Sequence, residues 1–446
     1  MGLRAAPTPV FAVPDEETWL QWGRDLRARG LRPLMDPGRA EVLLAAEQVP
    51  AELHGAIAEA WSQMPRRRLE ALASPLRGVS VNEVLHAAEG GHERHGGHQG
   101  HGGGGNHGGH HGDGGHGDMM GITGDPSADG LVMEPMDVEA GPLGVALPTG
   151  LLISASLDGD VVASCHVRQG LRISHSALDP TTTAAWSVAE RTAAERVAGT
   201  QASTSEQWLR LAGVELERAV SHLAWLHRLT RLLGWRDATD RVHELLQRVA
   251  PGRVASAASR SPDLQEAAQV CATLADMLEG SRAFRRRTAG LGLLTTYDVQ
   301  ARGLAGPIAR AAGVTADARI DDPHYRALGF QSLTRTGGDA HARAVLRTAE
   351  ASQSLGLVLG ALRLDRPDDE ELPTPMRSAR VHGAVVEGPR GPLEVVPVTG
   401  DMQVERITRG AAAALEAAAG AAVGREWAAA LVAIASFDLS PWKVGR

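Results

Sequence analysis

Residues 206–234 read EQWLRLAGVELERAVSHLAWLHRLTRLLG. Trp208, Leu211, Val214, Leu216, Val220, Leu223, Leu226 and Leu229 recur at the three- and four-residue steps of one broad helical face. A helix this long, apolar over so wide a face, buries itself only among other helices. The surrounding text supplies them: amphipathic runs at 184–197, 263–286 and 339–362, the last after the Gly337-Gly338 break, and further helical text at 408–423 and 426–434. Two stretches read as strand pairs instead. Residues 151–157 lead through the Asp158-Gly159 turn to 161–164, and 381–387 pair with 393–398 around Pro389-Arg390-Gly391. The expected fold class is α+β, mainly a helical bundle with a small antiparallel sheet.

Composition narrows the chemistry. The chain has 446 residues, and its only lysine is Lys443. A phosphate-cradling glycine-rich loop needs a lysine after its glycines, and a pyridoxal enzyme needs one in a pocket, so neither class fits. Its two cysteines, Cys165 and Cys271, stand too far apart for a C-x-x-C pair, so the chain alone holds no iron–sulfur cluster and no disulfide framework. With 45 basic against 53 acidic residues and no basic patch, nucleic acid is not an expected partner. Neither residues 1–14 nor the apolar stretch 410–437, broken by Glu416, Arg425 and Glu426, reads as a signal peptide or a membrane span.

Three zones follow from the same reading. Residues 1–89 look like an N-terminal helical region, with an acidic start at Asp15-Glu16-Glu17, then Trp19, Trp22, Leu26 and Leu31, and a second helical pattern from 51 to 72. Its Trp and Leu stripes fit either a docking face or a core of its own. The Arg66-Arg67-Arg68 run reads as a solvated helix face. Residues 90–118 are almost wholly glycine and histidine, which cannot bury apolar surface, and read as a disordered linker. His92, His95, His98, His101, His107, His110, His111 and His116 in that segment either offer a weak, adaptable site for nickel, zinc or copper or belong to a linker that merely tolerates histidine. Residues 119–446 are the main domain.

Several segments of the main domain occur together, in order. They are Gly141-Pro142 with Leu157-Asp158-Gly159-Asp160; Glu215-Leu216-Glu217-Arg218 with Ser221-His222-Leu223; and Arg287-Thr288, Gly290 and Gly292 with Gly303-Leu304, Gly306-Pro307, Arg310 and Gly313-Val314. Gly338-Asp339, Arg343, Arg347, Glu350 and Gln353-Ser354-Leu355 come next, then Glu387 with Pro389-Arg390-Gly391, and finally Ser436-Phe437-Asp438. In this order they resemble the large-subunit family shared by respiratory complex I, where it is the 49 kDa-type subunit of NADH-quinone oxidoreductase, and the nickel–iron hydrogenases. The resemblance covers most of residues 131–446. It implies that family's fold, a small partner subunit carrying a [4Fe–4S] cluster, other complex I-like subunits, and a peripheral place on a membrane arm at the cytoplasmic inner face of the cell membrane.

The departures from the family bear on chemistry. The resemblance puts the four metal-holding thiolates of a hydrogenase at Asp179, Thr182, Ser440 and Lys443, none of which can serve, so a nickel–iron site is not expected. It puts the quinone-contacting histidines at Gly144 and Pro148 and the quinone tyrosine at Pro180, which leaves quinone chemistry altered or lost. Asp179 is retained, either as a carboxylate in the cavity or as the cap of the helix that follows. His166 and His175, read as lying in the loop before it, are either cavity residues or surface ones, and together with Asp179 are the catalytic candidates. His222 is the histidine of a bundle helix. Arg285-Arg286-Arg287, Arg335, Arg343 and Arg347 either face a cluster-bearing partner or make ordinary salt bridges. The expected function is a divergent large subunit of a complex I-like, membrane-associated redox assembly with no firmly bound cofactor of its own. The competing expectation is a non-enzymatic scaffold or metal-handling protein that uses its histidine-rich segment.

Overall fold

The computed structural model describes residues 6–92, 135–144, 147–172, 181–249, 261–364, 383–397 and 404–443. The N-terminal region is not the helical unit that its tryptophan spacing suggests. Strands β1 (Thr8–Val13), β2 (Leu31–Leu34), β3 (Val42–Ala46) and β5 (Leu69–Leu72) form a parallel sheet in the order β2-β1-β3-β5. The short β4 (Gln48–Val49) and β6 (Val79–Ser80) make a separate antiparallel pair. Helices α1 (Glu16–Gln21), α2 (His54–Gln63) and α3 (Val81–His92) connect these strands. The reason lies in β3: Val42, Leu43, Leu44, Ala45 and Ala46 are all buried, the continuous apolar text of a strand covered on both faces. Trp19 and Trp61 pack in this module's own core rather than on an exposed docking stripe. Arg66, Arg67 and Arg68 are exposed, but in the loop before β5 and not on a helix.

The main domain opens with an antiparallel sheet of β7 (Met136–Ala140), β8 (Leu151–Asp158) and β9 (Val161–Gln169). Along β8, Leu151, Ile153, Ala155 and Leu157 are buried, alternating with residues that are less so. The bundle consists of α4 (Thr183–Ala198), α5 (Thr204–Leu232), α6 (Arg236–Val249), α7 (Ser261–Gly280) and α8 (Arg282–Thr288), then the short α9 (Thr296–Ala301), α10 (Gly306–Ala311) and α11 (Pro323–Ala327), and the long α12 (Ala340–Leu364). Helices α5, α7 and α12 share one apolar core around Leu223, Leu226, Leu274, Leu355 and Val358. A second antiparallel sheet, β11 (Ala384–Gly388), β12 (Gly391–Pro397) and β13 (Val404–Thr408), packs on α4. Helices α13 (Ala411–Ala422) and α14 (Trp427–Ala435) cover the first sheet.

Two-residue strands β10 (Leu171–Arg172) and β14 (Trp442–Lys443) pair in parallel and bring the C-terminal segment beside the end of β9. Leu171 and Trp442 also belong to the N-terminal core, so the module is seated directly on the main domain. The α+β class therefore holds, with two small antiparallel sheets plus a parallel one that the sequence did not suggest. Among the described residues no helix is long and apolar enough to cross a membrane.

Candidate functional site

Turn Pro389-Arg390-Gly391, between β11 and β12, sits directly on the start of α10. A Cβ added to Gly306, which has φ +67°, would stand 2.4 Å from the Arg390 carbonyl oxygen, so only glycine allows this approach. Beside it opens a cleft between α4, α10, the β11–β12 turn, α13 and the C-terminal segment. Trp186, Leu304, Ile308, Leu393, Phe437 and Leu439 give it apolar walls. The polar groups are few: Thr182, Gln169, Thr408, Arg390, Arg409, Asp438 and Ser440. An apolar hollow with a few convergent polar groups is the usual form of a small-molecule site.

The central polar pair is Arg390 and Asp438. Arg390 Nε lies 3.3 Å from Asp438 Oδ2 and donates to the Asp438 carbonyl at 3.1 Å, while its Nη1 donates to Thr181 Oγ1 at 3.1 Å. Arg347 donates to the same Oδ2 at 2.8 Å. Burial pushes the Asp438 carboxyl upward, but Arg390 and Arg347 outweigh it and hold the group below the usual carboxylate range. Its other oxygen, Oδ1, is buried with no protein partner. Asp438 has φ +49°, a left-handed conformation uncommon outside glycine. Arg390, the more exposed of the two, and the buried Asp438 thus form the polar floor of the cleft.

Behind it lies a charged core. Arg218, Arg310, Arg319, Arg343 and Arg347 are buried with Glu215, Asp317, Glu350, Glu387 and Asp438. Glu215 accepts from Tyr325 Oη at 2.7 Å, Ser354 Oγ at 2.6 Å and Arg218 Nε at 3.2 Å, and lies 3.3 Å from Arg319. Arg310 reaches Glu350 at 2.6 Å, Glu387 at 2.8 Å and Asp317 at 3.1 Å. Arg343 donates instead to the carbonyls of Gly338 and Gly292 and to Ser436 Oγ, and lies over the Phe437 ring. Burial lowers its pKa to about 9, which still leaves it charged at neutral pH. His222 Nε2 lies 3.0 Å from Glu350, and Arg347 donates to its Nδ1 at 3.1 Å. Burial lowers the His222 pKa to about 4, with Arg347 adding to the effect and the Glu350 hydrogen bond opposing it, so the ring is neutral at pH 7. Both ring nitrogens are engaged, which makes His222 a structural histidine of the bundle.

The sequence-derived candidates fare unequally. Thr182 and Ser440, matched from distant parts of the chain, line the same cleft, whereas Lys443 pairs with Arg172 in the β10–β14 strands and does not line it. A nickel–iron centre does not fit: among the described residues no cysteine, histidine or tyrosine lines the cleft. Cys165 and Cys271 are buried elsewhere, and burial pushes their thiols up to about 11 and about 12. Gly144 approaches Met35 and Phe11 of the N-terminal module, and neither it nor Pro148 reaches the cleft. His166 is not in a loop. It sits within β9 opposite Ser154, exposed, beside Leu415 and Glu416 on a different surface, because strand alternation turns it away from the core.

Asp179, His175 and Pro180, like His95, His98, His101, His107, His110, His111 and His116, lie outside the described residues. His92 ends α3. Arg343 and Arg347 point into this chain's own core and not toward a partner, while Arg285 and Arg286 are exposed. Arg390 and Asp438 were visible as parts of the P-R-G and S-F-D segments, but nothing in the sequence marked them as the polar floor of a cleft.

The matches to known proteins fall on these elements. The family model for the 49 kDa subunit of respiratory-chain NADH dehydrogenase matches residues 259–378, which run from the start of α7 past the end of α12. The second D-type subunit of the NADH-quinone oxidoreductase of Salinispora tropica is 30% identical over 230 residues, covering 45% of this chain and 59% of that protein. The first D-type subunit of the same enzyme in Streptomyces coelicolor is 30% identical over 234 residues, 45% of this chain and 61% of that one. The D-type subunit of the F(420)H(2) dehydrogenase of Methanosarcina mazei is 34% identical over 99 residues, 22% of this chain and 26% of the relative. The chain thus matches about three-fifths of the length of the first two relatives. One component of the membrane-bound sulfane sulfur reductase, an archaeal respiratory membrane complex, superposes with a TM-score of 0.53 at 20% identity, over 69% of this chain and 97% of that one, which places the fold. On these matches the chain is distantly related to the complex I 49 kDa subunit, the D-type subunit of NADH-quinone oxidoreductase.

Proposed function

We propose that the chain is the large subunit of a complex I-like, membrane-associated redox assembly, in which it holds the cleft at Arg390 and Asp438 but carries no redox metal in it. The observation that carries this reading is the cleft's lining. It keeps the position between α4 and the C-terminal segment where Thr182 and Ser440 meet, yet among the described residues it offers no thiolate, imidazole or phenol. Reduction of a quinone needs two protons delivered close to the ring oxygens. Arg390 does not give up its proton, and Asp438 is held ionised, so the described lining binds without supplying protons. A quinone head group fits it as a ligand: a ring carbonyl accepts from Arg390, and the ring packs between the apolar walls. The same lining favours, as the second reading, a subunit that positions its neighbours without redox chemistry of its own.

The partners under this reading are a small subunit that carries the [4Fe–4S] cluster and the subunits of a membrane arm, with the chain peripheral at the cytoplasmic face of the cell membrane. Affinity purification of the tagged chain from detergent-solubilised membranes tests it. A small cluster-bearing protein, seen by its low-temperature electron paramagnetic resonance signal, should co-elute with integral membrane subunits. Recovery of the chain alone, from the soluble fraction, would sink the proposal. Binding of a short-chain quinone, followed by quenching of Trp186 and Trp442 fluorescence, then separates a ligand-holding cleft from a scaffold.

A further inference from the structure

A second buried polar cluster lies where the N-terminal module meets the bundle. Asp15 caps α1, its Oδ1 accepting from Thr18 N at 2.9 Å, and the first turn carries Glu16 and Glu17, both buried against α5. His227 of α5 is fully buried, and its Nδ1 lies 2.9 Å from Glu17 Oε1. His243 of α6 is also buried; its Nε2 lies 3.3 Å from Asp25 and its Nδ1 3.8 Å from Glu16 Oε1. The two rings are 5.5 Å apart. His227 Nε2 and both ring nitrogens of His243 have no hydrogen-bond partner. One donor atom each from Glu16, His227 and His243 can be chosen so that all three lie within 4.8 Å of one another.

We propose that Glu16, His227 and His243 form a binding site for a divalent transition metal of the zinc class, which fastens the N-terminal module to the bundle. Each imidazole has a carboxylate on its far nitrogen, Glu17 for His227 and Asp25 for His243. On His227 the Glu17 hydrogen bond fixes the tautomer and turns the other lone pair toward the ion, as around protein-bound zinc, while Asp25 stands 3.3 Å from His243 Nε2. Glu17 is also held by Arg231, 3.1 Å from the same Oε1. Two imidazoles and one carboxylate suit zinc, cobalt or nickel and not calcium or magnesium, which take oxygen ligands.

Charge points the same way. Asp15, Glu16, Glu17, Asp25 and Asp240 face Arg27, Arg228 and Arg231, an excess of two negative charges. A divalent ion cancels it. Arg27 now donates to Glu16 Oε1 at 2.7 Å, but its side chain is 34% exposed and also held by Asp240 at 2.9 Å. It can swing toward Asp240 and release that oxygen. With zinc–ligand bonds of about 2.0–2.1 Å, the three donors then close by rotamer adjustment, and water takes a fourth position.

The test uses the full-length chain with its eight histidines between 92 and 116 replaced by asparagine, which removes the competing ligands without shortening the chain. After loading with zinc and passage over a weak chelator, it should retain one equivalent, and a cobalt-loaded sample should show the visible bands of a low-coordinate nitrogen–oxygen site. H227Q and H243Q should each retain less than a tenth of an equivalent. Glu17→Gln keeps all three ligands but loosens His227, and should weaken zinc by about 10- to 100-fold. No zinc retained by the parent, or unchanged retention in H227Q and H243Q, overturns the site. Should those two variants fail to fold by circular dichroism, unchanged affinity in Glu17→Gln overturns it instead.

Discussion

Helix α5 runs through two buried polar clusters that are balanced in opposite ways. Toward its middle, Glu215, Arg218 and His222 enter a network in which carboxylates from α5, α12, β11 and the loops meet guanidiniums from α5, α10 and α12. What stays unpaired there is surplus guanidinium N–H on Arg310, Arg343 and Arg347, plus Asp438 Oδ1 at the cleft. Toward its end, His227, Arg228 and Arg231 meet Asp15, Glu16 and Glu17 of the N-terminal module, and what stays unpaired is mostly imidazole nitrogen, on His227 and His243, with one guanidinium N–H on Arg228. The first cluster has no room for a cation because arginines already fill that role. The second has vacant acceptors and too few positive charges. Charge balance, and not burial or residue type, separates a structural core from a candidate ligand site.

The strongest way to break the contrast is to remove a cation from the first cluster. Arg310→Met leaves Glu350, Glu387 and Asp317 facing one another without their shared guanidinium. Urea unfolding should show a loss of about 3–5 kcal/mol. A loss below about 1 kcal/mol would mean that the carboxylates find other partners and that the network is not closed. Gly306→Ala probes the contact that places the cleft beside this network. The new Cβ meets the Arg390 carbonyl, and the backbone stays left-handed, so a loss of about 2–4 kcal/mol is expected by the same measurement.

Acid sharpens the comparison next. The folded-state pKa of His222, about 4, lies below the value of about 6.5 for an unperturbed ring, so as pH falls the unfolded chain takes up the proton first. Stability from the neutral ring is complete above about pH 6.5 and drains away toward pH 4, by about 3 kcal/mol at most. His243, also lowered, contributes in the same direction. The difference between the wild-type chain and His222→Gln, followed from about pH 7 to about 4.5, isolates the first ring. Parallel stability curves for the two would contradict the assignment of His222 as a neutral bridge between Glu350 and Arg347.

Much of this was legible in the sequence, and the misses have physical causes. The antiparallel sheets show through their turns and the alternation of β8, while α5 shows through apolar residues at helical spacing even though it is buried at every position from Arg218 to Thr230. The N-terminal sheet did not show: β3 is buried on both sides and so lacks alternation, and α1 follows β1 so closely that Trp19 and Trp22 mimic a longer helix. Helix α6 was missed although Val242, Leu245, Leu246 and Val249 carry its apolar stripe, and His243 was missed with it. Thr182 and Ser440 were found because family motifs fix their places in the chain. The metal candidates Glu16, His227 and His243 belong to no motif, and only the packing of α1 on α5 and α6 brings them together.

The smallest expected change in stability tests the cleft itself, where the closed network opens to solvent. Arg390→Gln removes one of two cations on Asp438 but leaves Arg347 at 2.8 Å, so the carboxylate stays paired. Because the Arg390 side chain is partly exposed, the loss should stay within about 1 kcal/mol. Binding of a quinone analogue should respond far more, weakening by about 10-fold or more, since a charge-assisted hydrogen bond to the ring oxygen is lost. Stability and binding moving together would make Arg390 one more member of the structural network. Binding falling alone would mark the point at which that network stops being scaffold and becomes a site.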